Sequence, residues 1–170
     1  MTQIDILDYP DASILNKILY PIIKDAEKYF VAPNTACRTT FNIHKSKEVS
    51  GFTSWLENKF PKYKIAVSWG MVYNIGEGAN KHSHDPYPMT FVYYVNVPEG
   101  SSPLIVEDQT INIKEGQVIF FPGDVLHSVP RSTVDGRCII AGQVTYKSIV
   151  PRIILFLKRR FYGVGFRGKN

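Results

Sequence analysis

Four side chains stand out for the chemistry that their types and spacing allow: His82 and His84 in GANKHSHDP, His127 in FFPGDVLHSVP, and Arg137 in DGRCIIAG. Imidazole nitrogens bind first-row transition metals, and three of them aimed at one point leave positions open for further ligands. On an extended segment residues i and i+2 share a side, so His82 and His84 can address one ion while Ser83 faces away. His127 must arrive from a distant segment, which a β-barrel achieves by closing its sheets on one another. Asp85 is the alternative to His84, but on a regular strand it points with Ser83, so His84 is preferred. His44, alone in FNIHKSK, reads as a packed or surface residue. Arg137 opens an apolar run; facing inward it would need an anion, and otherwise it sits in solvent at a strand end.

The elements that position these groups show in the periodicity. Ile14, Leu15, Ile18, Leu19, Ile22, Ile23, Ala26 and Phe30 recur at helical spacing after a cap at Asp11 or Ser13, with Pro21 set to kink or split the helix. A second helix is expected over residues 51–60, ending before Pro61, with Phe52, Trp55, Leu56 and Phe60 on one face. From Lys64 onward the runs IAVSWGMVYNI, MTFVYYVNV, PLIVE, TINI, QVIFF, LHSV and RCIIAGQVTY are short, rich in β-branched and aromatic residues, and separated by Gly, Pro, Asp and Asn. The expected fold is mainly β with flanking helices, a jelly-roll or cupin-like barrel with N-terminal helices packed outside it. Both metal-binding segments then fall at strand ends or turns.

A length of 170 residues with 44% hydrophobic content suits a single domain with one core. Within it, residues 1–63 read as helical support, 64–146 as the barrel and 147–170 as a basic segment. That last segment holds seven Lys and Arg and no acid, so the net charge of +5 belongs to it and the remainder is close to neutral. Such a body gives no strong argument for a nucleic-acid partner. MTQIDILDYPD lacks the pattern of a secretory leader, no apolar run reaches the length of a membrane span, and the two cysteines, Cys37 and Cys138, read as thiols. These features point to a cytoplasmic protein.

The stretch from Trp69 to Gln143 resembles the iron(II)- and 2-oxoglutarate-dependent dioxygenases, in particular small members with an H-x-H form of the metal motif. The parts occur in the family's order: Tyr73 in VYNIGEG, His82-Ser83-His84, the strand FVYYVNVP, the hairpin INIKEGQVIFFP, His127, and a basic residue ten positions later, Arg137. The resemblance implies a double-stranded β-helix, iron(II) on His82, His84 and His127, and 2-oxoglutarate as cosubstrate. It also implies that Arg137 binds the far carboxylate of 2-oxoglutarate, a task suited to the planar guanidinium fork, and that Tyr73 hydrogen-bonds the cosubstrate. The activity implied is oxidative decarboxylation of 2-oxoglutarate coupled to hydroxylation of a substrate. Most relatives carry His-x-Asp; here His84 stands in the carboxylate's place, so the site has one negative charge fewer.

Two other readings compete. The segments Gly76 to His84 and Gly116 to His127 also resemble cupin motifs, which would give a three-histidine metalloenzyme with no use for 2-oxoglutarate. The glutamate that cupins carry shortly after H-x-H is absent here, and Arg137 is not part of their pattern. A non-catalytic binding module would instead use the C-terminal segment, where Ile149, Val150, Ile153, Ile154, Leu157 and Phe161 alternate with Arg152, Lys158, Arg159 and Arg160; a helix packed on the barrel is the simpler reading. Trp69, Phe91, Tyr93 and Phe120 are candidate pocket residues, and 76–81, 85–89 and 130–135 are candidate substrate-facing segments. A small molecule or a peptide is the expected substrate; the sequence does not specify which, nor an oligomeric state.

Overall fold

The structure, a computed structural model, describes residues 2–26 and 38–147. In chain order it contains β1 (Asp5–Asp8), α1 (Ala12–Asp25), β2 (Arg38–Phe41), 3-10 turns at Ile43–Lys45 and Lys47–Val49, α2 (Ser50–Lys59), β3 (Tyr63–Tyr73) and β4 (Ala79–His82). It continues through β5 (Met89–Asn96), β6 (Leu104–Val106), β7 (Gln109–Ile111), β8 (Gln117–Pro122), β9 (His127–Val129) and β10 (Arg137–Tyr146). A six-stranded sheet in the order β1-β8-β5-β10-β3-β2 faces a four-stranded sheet in the order β4-β9-β6-β7. All the pairings are antiparallel. This is the double-stranded β-helix, mainly β with helices outside.

Side-chain alternation along the central strands divides the molecule into two cores. One face of the large sheet turns toward the helices: Phe91, Tyr93, Val118, Phe120, Cys138 and Ile140 pack there with Leu15, Leu19, Ile23, Phe52 and Leu56. The other face lines the barrel, where Met71, Tyr73, Val92, Tyr94, Ile119, Phe121 and Ile139 meet Ala79, Leu104, Val106 and Val129 of the small sheet. Burying either set stabilises by about 2 kcal/mol per large apolar side chain before entropy is counted. At Gly142 of β10 the cores leave no room: a Cβ would lie 2.6 Å from Phe91 Cε1 and 2.7 Å from the Val67 carbonyl oxygen.

The helices follow their periodicity with one difference. In α1 the stripe Leu15, Leu19 and Ile23 is buried, while Ile14, Ile18 and Ile22 are exposed, because two apolar stripes run along this helix and the sheet covers one. Pro21 lies inside α1, and Asp11 occupies the N-cap position without a side-chain cap bond. The predicted extension to Phe30, like Cys37 and nearly all of the basic segment, lies outside the described residues. Strands β1, β2 and β4 were not expected from the pattern; they read DILD, RTTF and ANKH, without the apolar, β-branched runs that mark the later strands. No helix among the described residues is long and apolar enough to cross a membrane.

Candidate metal centre and anion pocket

His82 ends β4 and His127 begins β9, and the two are directly paired across the small sheet. His84 follows two residues later, held in place by its backbone N–H, which donates to the Gly123 carbonyl oxygen (2.6 Å) in the turn just before His127. The Gly123 N–H donates back to the Pro88 carbonyl oxygen at 3.2 Å, so the HSHDPYP and PGDV loops are tied together. Gly123 is required there, since a Cβ would run into the Tyr87 carbonyl oxygen. The turn residues thus bring together imidazoles that lie far apart in sequence.

One ring nitrogen from each of His82, His84 and His127 lies within 4.8 Å of the others, the single such cluster of potential metal-binding residues among the described ones. Ring centroids are 4.4 to 4.9 Å apart. His82 Nδ1 faces the Asn80 carbonyl oxygen at 2.6 Å and His127 Nδ1 the Val125 carbonyl oxygen at 3.1 Å. A carbonyl only accepts, so each Nδ1 carries the proton and each Nε2 is left as a lone-pair donor, the tautomer a metal ligand needs. Burial, reinforced by His127 and His82, holds His84 down to about 3; burial and His82 hold His127 down to about 4, against the backbone bond to Val125. Near neutral pH these two rings do not lose their lone pairs to protons. Asp85 is exposed and outside the cluster. The residues present therefore fit a divalent transition metal held by three neutral imidazoles.

At the other end of the same barrel face sits Arg137. It is fully buried, with 0% exposure, and Nε, Nη1 and Nη2 have no hydrogen-bond partner among the described residues. Its guanidinium lies over the Tyr73 ring at 4.7 Å and the Tyr94 ring at 5.4 Å. The Tyr94 hydroxyl is also buried; burial pushes it up to about 12, with the charge and the side-chain N–H groups of the neighbouring Arg137 opposing. The buried polar residues described include Asn16, Thr90, Gln143, His127 and Arg137 but no Asp or Glu. A desolvated cation beside a buried hydroxyl, with no buried acid among the described residues to neutralise it, is complementary to a carboxylate.

Strand register relates the two ends. Arg137 pairs with Tyr73, and Trp69, four residues earlier on β3, meets the His84 ring edge-on at 5.9 Å. Four residues of strand cover about 14 Å, spanned by the inward side chains of Tyr73, Met71 and Trp69. The structure thus brings His82, His84 and His127 together at one end and Arg137 and Tyr73 at the other. Of the four aromatic candidates for the pocket, Trp69 faces the barrel. Phe91, Tyr93 and Phe120 face the helices instead, because the alternation runs in the opposite phase. Their neighbours Tyr94 and Phe121 are the inward ones, Phe121 packing on His127 at 4.9 Å. Thr90, whose hydroxyl is buried without a partner, pairs with Gln143 and Phe121 near the histidine end.

No protein-family model matches the sequence, and no curated protein matches it. Solved structures do match. The viral collagen prolyl hydroxylase of Paramecium Bursaria Chlorella virus-1, in complex with 2OG, superposes with a TM-score of 0.65 at 16% identity, covering 83% of this chain and 94% of that one. A prolyl-4-hydroxylase of Pseudomonas putida gives 0.67 at 12% identity, over 86% and 94% of the two chains. The prolyl hydroxylase of Trichoplax adhaerens, in complex with a hypoxia inducible factor peptide fragment, gives 0.64 at 12% identity, over 97% and 89%. The chain has the fold of these enzymes.

Proposed function

We propose that the protein is a non-haem iron(II)- and 2-oxoglutarate-dependent oxygenase. The observation that carries this reading is the buried, unpartnered Arg137 guanidinium on the same barrel face as the three-imidazole cluster. A metal site alone suits many chemistries. A metal site with a desolvated cation and no buried acid among the described residues suits a metal-bound cosubstrate with a second, anionic end.

His82, His84 and His127 would hold the iron through Nε2, with the Asn80 and Val125 carbonyls fixing two of the rings. Iron(II) supplies the capacity to activate dioxygen and to couple decarboxylation of a 2-oxo acid to oxidation of a C–H bond. The chain's own residues bind and orient. Arg137 would receive the far carboxylate of 2-oxoglutarate, with the Tyr94 hydroxyl donating a hydrogen bond to it and the Tyr73 ring supporting the guanidinium face. Met71, Val92, Ile119 and Ile139 form apolar walls between the ends and keep water from the reacting groups. Hydroxylation of a small molecule or a peptide is the outcome we assign. A cupin with three histidines would use the same barrel without 2-oxoglutarate, but it would leave Arg137 buried with no purpose.

Turnover of 2-oxoglutarate tests this assignment. Iron-loaded protein with ascorbate and dioxygen should release succinate from 2-oxoglutarate at a slow uncoupled rate, accelerated by the right substrate, and Arg137→Gln should raise the KM for 2-oxoglutarate by at least tenfold. Iron-loaded protein that neither binds nor consumes 2-oxoglutarate would remove the assignment.

A further inference from the structure

Strands β3 and β10 run antiparallel from the Arg137 and Tyr73 pair, past Trp69 beside His84, to the Tyr146 and Tyr63 pair. The start of β3 and the end of β10 therefore lie beyond the metal centre and away from Arg137. Three exposed lysines stand there: Lys59 closes α2, Lys62 follows in the turn, and Lys64 sits on β3, five residues or about 16 Å of strand before Trp69. None of the three forms an ion pair among the described residues. Glu57, two residues before Lys59, is taken by Lys147 at 3.2 Å and by the Ile65 N–H at 3.1 Å. The Lys62 ammonium lies over the Tyr63 ring at 5.0 Å, and Tyr146, whose ring meets Tyr63 at 5.2 Å, is 61% exposed. The acids near the histidines, Asp85 and Asp124, are on loops across the barrel mouth from these lysines.

The sequence that follows β10 has the same chemistry. Residues 148–170, outside the described ones, carry six Lys and Arg, no acid, and the apolar run Ile153 to Leu157. Lysines alone would suit any polyanion. Basic residues next to an aliphatic run suit a surface that is anionic at the top and apolar beneath, which a phospholipid bilayer offers and a nucleic acid does not. We infer that the protein binds anionic phospholipid membranes peripherally, through Lys59, Lys62, Lys64 and Tyr146 of the folded part together with residues 148–170. The metal end of the barrel then lies beside the lipid and the Arg137 end away from it. Each Lys or Arg near an anionic lipid surface adds about fivefold to affinity, so the three lysines together supply up to about a hundredfold. An exposed tyrosine is suited to the headgroup level. Binding of this kind requires neither iron nor 2-oxoglutarate in the barrel.

Sedimentation of the full-length protein with sucrose-loaded vesicles tests the inference. Vesicles of equal parts phosphatidylcholine and phosphatidylglycerol should bind the protein in a salt-sensitive way, and vesicles of phosphatidylcholine alone should bind it at least about tenfold more weakly. The triple variant Lys59→Gln, Lys62→Gln, Lys64→Gln, whose exposed changes should leave thermal melting as in wild type, should lose about tenfold or more in affinity for the anionic vesicles. Orientation is read by fluorescence: brominated lipid should quench the added emission of Tyr146→Trp but not that of Ile75→Trp, a position 64% exposed and two residues past Tyr73. Equal binding to both kinds of vesicle, binding to neither, undiminished binding by the triple variant, or equal quenching of the two tryptophan variants overturns the inference. So does a single-stranded DNA oligonucleotide that binds more tightly than the anionic vesicles, which would make the surface one for nucleic acid.

Discussion

Replacing Arg137 by methionine should make the ligand-free protein more stable while destroying its response to 2-oxoglutarate. Burying an ion in protein costs several kcal/mol even after relaxation, and Arg137 has 0% exposure and no hydrogen-bond partner for its three nitrogens among the described residues. The Tyr73 ring at 4.7 Å and the Tyr94 ring at 5.4 Å return about 1 to 2 kcal/mol each. The balance leaves about 1 to 3 kcal/mol of net destabilisation that an apolar side chain of similar length would remove. At about 2 to 4 °C per kcal/mol for a chain of this size, Arg137→Met should melt about 5 °C above wild type in metal-free, carboxylate-free buffer. Wild type should gain about 2.7 kcal/mol from 2-oxoglutarate at a hundredfold excess over its Kd, and the variant nothing. Calorimetric melting of both proteins, with and without 2-oxoglutarate, measures all four quantities. A variant that melts below wild type in carboxylate-free buffer would show that the protein itself satisfies Arg137, and the argument for a missing anion would fail.

Loss of one imidazole in His127→Ala should weaken Co(II) or Zn(II) binding by more than the ten- to hundredfold that losing an outer partner of a metal ligand usually costs; competition against a chromophoric chelator reads this, and near-native affinity would take His127 out of the site. The stability of metal-free protein should depend on pH through His84 and His127, which are held at about 3 and about 4 when folded. Below the ordinary value of 6.5 the unfolded chain takes up protons that these two folded rings refuse, so their contribution is constant above about pH 6.5 and stability falls by up to about 3 kcal/mol for each ring toward pH 4. Urea titrations at several pH values check this, and a flat profile through that window contradicts it. Gly142→Ala, which forces a Cβ to within 2.6 Å of Phe91 and 2.7 Å of a backbone oxygen, should cost about 1 to 3 kcal/mol; an unchanged urea midpoint would mean that the strands part easily there.

The His82 and His84 pair of the metal cluster was legible in the sequence because its geometry is local. Residues i and i+2 on an extended chain must share a side, and the Pro122-Gly123-Asp124 turn marks where the chain comes back to deliver His127. Arg137 was legible as a basic residue heading a strand, but its burial was not, since the sequence allows it to face either way. The phase of the central strands was hidden. FVYYV and VIFF are apolar at every position because helices cover one face of the sheet and the small sheet covers the other, so alternation carries no polar mark. The sequence therefore does not distinguish the inward Tyr94 and Phe121 from their helix-facing neighbours Tyr93, Phe91 and Phe120. The same doubling affects α1, where Ile14, Ile18 and Ile22 form a second stripe that the sheet leaves exposed.

The central claim, that this barrel holds iron and 2-oxoglutarate together, is tested most directly by anaerobic titration of iron(II)-loaded protein with 2-oxoglutarate, followed by visible absorption. The account predicts a saturable charge-transfer band from the 2-oxo acid on the iron, lost in His127→Ala and shifted to much higher 2-oxoglutarate concentrations in Arg137→Gln. Protein shown to carry iron on its three histidines that yields no such band at millimolar 2-oxoglutarate would contradict it.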